Sequence, residues 1–546
     1  MKQVVRSAIQ FFAVMSLLLA ASHAAHAQMP SNCVAGTNIY YIDNAGGSDS
    51  NSQAQAKNKS TAWAHQPYMA SFTGQYAHSA GDCFVFKGGD TWVASDMPLK
   101  IQAGGGTSEY DYYGVDQSWY NGSSWTRPKF DAQNTTVGNV GVVFDPVTNI
   151  SGLQFDNFEI VNVGCSTSVS TYVFVNNQDD YISMTNNYVH SFYVPSGGCG
   201  DPNSGTLQEV YVYASYGGNS GSRCHGVFDH NIVNGADGTH GSQTPSVTVQ
   251  AIIPNVCIPL TNNVVHDVCS ALNAYTPVVA YNLIYNIGPW SSSVGQCNPQ
   301  YHPDGIQTDS DSEVHDNVLY HVTGEAIQLT PGNGNSQGAT VSHVYNNVLY
   351  ANTPTAIELG TGGDASSTNG VAYIYNNTLE CDSAAGAGCL SMYVSISSLT
   401  IENNHLITSS GGAEYCVNSA PFNCAGSGSH GAGTLNYTAS SEVYQTMSAA
   451  NGQGYSASEQ FAYSPTSSTG STVGKGANLS SACSATVFIC STTSYGSTAN
   501  SLLASVFADT ITTRPNSGSW DAGAYLFGGA AASQPNPPTG LTAIVQ

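Results

Sequence analysis

MTNNYVH (residues 184–190), FDHNIVN (228–234), LTNNVVH (260–266), VAYNLIY (279–285), VHDNVLY (314–320), VYNNVLY (344–350), IYNNTLE (374–380) and IENNHLI (401–407) are eight variants of one phrase. The fourth residue is always asparagine: Asn187, Asn231, Asn263, Asn282, Asn317, Asn347, Asn377 and Asn404. Three residues earlier stand Met184, Phe228, Leu260, Val279, Val314, Val344, Ile374 and Ile401. Two residues later stand Val189, Val233, Val265, Ile284, Leu319, Leu349, Leu379 and Leu406, so both flanking columns are wholly apolar. Apolar side chains on either side of a polar step, within strands of a few residues, describe a chain that turns a corner and points inward on both sides. Asparagine suits such a corner because it tolerates the left-handed backbone conformation and its amide can bond to a copy of itself in the next coil. The intervals between these asparagines vary widely while both columns stay in register, which means that insertions leave the repeat as loops. A sandwich of antiparallel strands has no reason to put one residue type at one offset eight times. The expected fold is all-β, a single-stranded right-handed parallel β-helix with caps at both ends.

Composition agrees. Charged residues are 8% of the 546, with 57 glycines and 32 tyrosines, while 41% hydrophobic content is too high for a disordered chain. Glu, Lys and Arg are too scarce for a helical protein. The opening segment, Met1 to Ala27, carries Lys2 and Arg6, an apolar run from Phe11 to Ala21 and the small-x-small sequence Ala25–Ala27, as a signal peptide cleaved near Ala27 would. The protein is therefore expected to be secreted, outside the cell or in the periplasm, and no later stretch is an apolar run long enough to span a membrane. Without that segment, nine basic residues face 35 acidic ones, a formal charge of −26 with histidine neutral. Such a balance excludes nucleic acid as a natural partner, since phosphate binding needs clustered Lys and Arg. All 14 cysteines follow the cleavage site, as disulfides in an oxidising compartment would; Cys381–Cys389, Cys416–Cys424 and Cys483–Cys490 are short-loop pairs.

The asparagine column resembles the asparagine ladders of the pectate-lyase-like superfamily of right-handed parallel β-helices. YYIDNAGGSDSN from Tyr40 and GDCFVFKGGDTW from Gly81 are similar to the opening segments of secreted members, and RPNSGSWDAGAYLF from Arg514 to their closing segment. The resemblance implies one long domain: an N-terminal cap and first coils over 28–139, the helix body over 140–410, a C-terminal cap region over 411–530 and a proline-containing tail over 531–546. The tail sequence PNPPTGLTAIVQ is similar to the first strand of a fibronectin type III module.

A second alignment runs through HPDGIQTD from His302, GEAIQLTPG from Gly324 and TAIELGTGG from Thr355. In this register Ile306, Ile327 and Ile357 point inward while Gln307, Gln328 and Glu358 point outward, stacked about 5 Å apart on neighbouring coils. Asp304 and Glu325 share an offset just upstream, Asp309 and Asp311 lie just downstream, and His302 precedes the strand. In a chain so poor in charge, this concentration of acids needs a reason, and acids so close raise one another's pKa. Two chemistries fit. A glycosidase uses a protonated carboxyl as acid and an ionised one as base or nucleophile, with Asp304 and Glu325 the first choice and Asp309 or Glu358 in reserve. A polysaccharide lyase neutralises a uronate, often with Ca²⁺, for which Asp304, Asp309 and Asp311 are the ligands to consider.

Elimination also needs a base, and between Lys129 and Lys475 the only Lys or Arg is Arg223. His302, His240 and Tyr301 are the other bases within reach of that reading. Hydrolysis therefore ranks slightly ahead. Trp290 and Tyr301 lie in the insertion before the acidic strand, where aromatic faces could stack on sugar rings or fill core. His315, His190 and His266 recur at offsets held by tyrosines elsewhere, which marks them as surface repeats; Asp179 and Asp180 are a weak echo of paired catalytic aspartates. The functional expectation is an extracellular enzyme that cleaves a polysaccharide in a groove on the helix face. Its rival is a glycan-binding or adhesin-like protein in which the helix is a stalk.

Overall fold

The computed structural model describes residues 29–30, 33–34, 38–138, 141–165, 171–176, 180–193, 210–215, 225–235, 249–253, 258–273, 276–288, 303–308, 312–329, 341–352, 356–360, 370–381, 389–392, 396–412, 415–416, 436–453, 465, 467–484, 487–494 and 510–527. Three long sheets account for nearly all of the strands. The first has 13 strands, from Ile39–Ile42 to Asn436–Ser440; the second has 12, from Thr91–Val93 to Val443–Gln445; the third has 10, from Val142–Phe144 to Tyr415–Cys416. Every pairing within them is parallel, and each strand pairs with its counterpart one coil away. One coil runs from Ile306–Thr308 in the third sheet, through Glu313–His315 in the first, past Asn317, to Val318–Val322 in the second, and then to Ile327–Leu329 in the third again. This is a right-handed parallel β-helix, the handedness that twisted strands impose on parallel crossovers.

Both flanking columns of the repeat lie in one continuous core, from Met184 to Ile401 on one side and from Val189 to Leu406 on the other. Between them the asparagine side chains are 0–1% exposed. Each rung makes the same bonds. Asn317 Nδ2 donates to Asn347 Oδ1 at 3.0 Å and to Val279 O at 2.9 Å, and its backbone N–H donates to the same Asn347 Oδ1 at 3.0 Å. The pattern repeats from Asn187 to Asn404, and Glu442 Oε1 takes the next asparagine's place at the end.

One expectation is corrected. The left-handed residue is the one before each rung: Asn186, His230, Asn262, Tyr281, Asp316, Asn346, Asn376 and Asn403, with φ between 50° and 63°. The rung asparagine is chosen for its amide, because a corner this tight strands backbone groups that only a two-way side chain can satisfy.

The left-handed column has its own partners. Asn346 Nδ2 donates to Ser491 O at 2.8 Å, Asn376 Nδ2 to Asp521 O at 2.9 Å, and Asn403 Nδ2 to Ala477 O at 2.8 Å. Buried Arg514 adds a bond from Nη2 to Asn346 Oδ1 at 2.9 Å and lies over the Trp520 ring. The described residues between 471 and 525 thus lie along the flank of the helix. They also overturn the surface assignment of His315, which is 2% exposed, stacked on Tyr345 at 4.8 Å and close to Phe488. His266 does continue into the tyrosine stack Tyr285, Tyr320 and Tyr350, at 4.6, 4.9 and 5.1 Å.

Cys381–Cys389 and Cys483–Cys490 are bonded, Cys33–Cys83 is a further pair, and Cys165 and Cys269 are also in disulfides. The Cys416–Cys424 pair falls partly outside the described residues. No described helix is long and apolar enough to cross a membrane.

Replacing an interior rung tests the ladder. Asn317→Ala takes the acceptor from the Asn282 N–H and from one of its amide hydrogens, and a donor from Val279 O, in a dry core, and should lower stability by about 3 kcal/mol, read as a shift in the denaturant midpoint.

Candidate active site

The third sheet carries the outward column read from the sequence. Ile306, Ile327 and Ile357 are registered partners and fully buried, as are their counterparts Leu272 and Leu390 on either side. One residue on, the registered outward column is Asn273, Gln307, Gln328, Glu358 and Ser391. These side chains leave the coil, but they do not all face water: Gln328 is 1% exposed and Glu358 4%, while Gln307 is partly open. The open acidic face expected from the sequence is therefore a largely closed one.

Asp304 and Glu325 come together. They stand two residues before the registered pair Ile306 and Ile327. Glu325 N–H donates to Asp304 Oδ1 at 3.0 Å, and the Glu325 carboxyl lies close enough to act on the Asp304 pKa. Gly324 makes room for this, since a Cβ there would lie 2.5 Å from Asp304 Oδ1 and 2.8 Å from Pro303 O. Asp304 is fully buried and Glu325 partly so. Burial, followed by the neighbouring Glu325 and then Glu358, raises the Asp304 pKa well above the ordinary carboxylate range. Burial makes Asp304 the natural holder of a proton at this corner. Glu358 is placed differently, because Gln328 Nε2 donates to its Oε1 at 2.9 Å.

His302, Asp309, Asp311, Trp290, Tyr301, Arg223 and His240 lie outside the described residues, as does Asp179. Of the three acids considered for Ca²⁺, only Asp304 is described. Among the described residues no three His, Cys, Asp or Glu side chains gather at metal-binding distance.

Two features escaped sequence reasoning. Asn273 begins the outward column and donates from Nδ2 to Gln307 Oε1 at 3.1 Å. On the outer face of the first sheet, Glu313 Oε1 and His343 Nδ1 are 2.6 Å apart, with the His343 ring stacked on Tyr373 at 4.9 Å. Glu313 and His343 are separated by the same interval as Asn317 and Asn347, so the ladder's own spacing could have found them. A similar pair, Asp180 and His225, lies on the same sheet with Tyr181 stacked on the imidazole at 4.1 Å.

No protein-family model and no curated protein matches the chain. Among solved structures it is similar to a GH136 lacto-N-biosidase from Eubacterium ramulus in its native form, with 13% identity over 75% of this chain and 68% of that one and a TM-score of 0.37. The selenomethionine derivative of that protein is similar at 9% identity over 76% and 68%, with a TM-score of 0.33. A PL6 family polysaccharide lyase from Pseudopedobacter saltans is similar at 11% identity, over 66% of this chain and 88% of that one, with a TM-score of 0.34. At this identity they say nothing of the chain's own substrate.

Proposed function

We propose that the protein is a carbohydrate-active enzyme that cleaves a polysaccharide on the third-sheet face by carboxylate-based glycoside hydrolysis. The observation that carries this reading is the division of labour among three acids stacked on three successive coils. Asp304 is fully buried, bonded by the Glu325 N–H and disposed to keep a proton. Glu358 is held as an acceptor by Gln328. One carboxyl poised to donate a proton and one poised to stay ionised are what glycoside hydrolysis needs.

Asp304 and Glu325 are joined through the Glu325 N–H, and Glu358 stands on the next coil. Acid and nucleophile or base stand about 5–5.5 Å apart in retaining glycosidases and about 6.5–9.5 Å in inverting ones. In this reading Asp304 and Glu325 act as one proton-holding unit, and the second carboxyl comes from the next coil. Asp304 is then the acid that protonates the leaving oxygen, Glu325 the group that holds the proton on it, and Glu358 the ionised partner. Elimination keeps second place, because Arg223 is the only Lys or Arg between Lys129 and Lys475 to act as its base or to offset a uronate charge.

The test is incubation with neutral and uronic polysaccharides, with and without chelator. Hydrolysis yields new reducing ends without ultraviolet-absorbing unsaturated products; unsaturated products mean elimination, and no product on either panel favours the adhesin-like alternative. Asp304→Asn and Glu358→Gln should each lower kcat by on the order of 10²–10⁴. Glu325→Gln should shift the basic limb of the pH–rate profile to lower pH by removing the charge that holds the Asp304 proton.

Stability gives a second readout. A carboxyl with a raised folded-state pKa binds its proton more tightly in the native protein, so its contribution is full below its unfolded value, about 3.9, and is lost as pH rises toward the folded one. Asp304→Asn removes this loss. The variant should gain melting temperature relative to the parent from about pH 4 upward, with the gap closing below that pH.

A further inference from the structure

The outward column of the third sheet is an amide ladder with a break in it. Asn273 donates to Gln307, and Gln328 donates to Glu358, but no bond joins Gln307 to Gln328, although they are registered partners on adjacent strands. Gln328 Oε1 is buried and has no hydrogen-bond partner among the described residues. The Nε2 end of Gln328 is taken up by Glu358 Oε1, which leaves the oxygen as the unpartnered end. Gln307, with its oxygen already accepting from Asn273, has its NH₂ to offer. A buried acceptor left bare costs about 1–3 kcal/mol, so a fold that has built an amide ladder on either side has reason to leave one open only where something else fills it.

The break falls between the same two coils that bring Asp304 against Glu325, three residues upstream on each chain. Strands one coil apart are separated by about 4.8 Å, so a hydroxyl oxygen set beside two unbonded amides lies within bonding distance of both. We infer that this gap is a subsite for a neutral sugar, one of whose hydroxyls accepts from Gln307 Nε2 and donates to Gln328 Oε1. A hydroxyl is both donor and acceptor, as the gap requires; a uronate carboxylate is an acceptor only. It would meet the bare oxygen of Gln328 beside Asp304, Glu325 and Glu358, in a stretch of chain whose only Lys or Arg between Lys129 and Lys475 is Arg223. The assignment rests on the hydrolytic reading for its place beside the acids, and it adds the substrate class: uncharged at this position.

Binding separates this inference from that reading. In the full chain carrying Asp304→Asn, which removes turnover, calorimetry with cellopentaose, mannopentaose and xylopentaose is compared with pentamers of galacturonate and mannuronate. At least one neutral pentamer should bind, and both uronates should bind at least tenfold more weakly. Gln328→Met, close in size but with no acceptor, should weaken the neutral ligand roughly tenfold. Gln307→Met, at a partly open position where folding is not at stake, should weaken it by a smaller factor in the same direction. Unchanged affinity in both variants overturns the inference, as does a uronate pentamer that binds as well as any neutral one or requires calcium to bind. If the neutral pentamers bind as described and the parent protein cleaves none of their polymers, the hydrolytic reading falls and the subsite stands.

Discussion

The structure depends on how a narrow coil satisfies its backbone at the corners. Strands one coil apart pair along their lengths, but at the bend between the first and second sheets the chain turns too sharply for ladder bonds to continue. The rung asparagine fills that gap: its oxygen takes the N–H and its NH₂ reaches a carbonyl of the coil before it, and the same NH₂ bonds the amide oxygen of the coil after it. Because each rung needs the next, coils stay in register despite insertions of very different length. Register in turn decides which side chains meet on the outer faces, and so brings Asp304 to Glu325 and Gln328 to Glu358.

The fold was legible because it repeats. Eight copies of one phrase outweigh the ambiguity of any single short strand, and both apolar columns lie in the core the sequence assigns them. The position of the left-handed residue was harder to read, since Asn186, Asn262, Asn346, Asn376 and Asn403 stand directly before rung asparagines and either member of such a pair tolerates positive φ. His230, Tyr281 and Asp316 hold that place where the sequence offers no second asparagine. Burial was legible only toward the core. His315 reads as surface because every neighbour that covers it comes from another coil or from the far end of the chain, such as Phe488.

For the candidate site, stacking was legible and contact was not. The shared offset of Asp304 and Glu325 follows from aligning Ile306 with Ile327. That the Glu325 N–H reaches the Asp304 carboxyl depends on Gly324 and on the bend before the strand, where the repeat no longer dictates side-chain direction. The broken amide ladder was likewise invisible, because glutamines at one offset predict a continuous row and only coordinates reveal which bond is missing.

A stack of coils in which each touches only its neighbours behaves as a one-dimensional array, free to fray from either end one unit at a time. Asn346, Asn376 and Asn403 change that for the last coils. By binding Ser491, Asp521 and Ala477, they attach three successive coils to a single strap drawn from much later in the chain. No one of those coils can peel away without releasing the strap from the others, so this end should melt as a block. The strap can also form only after all three coils are stacked, which places it among the last parts of the chain to order.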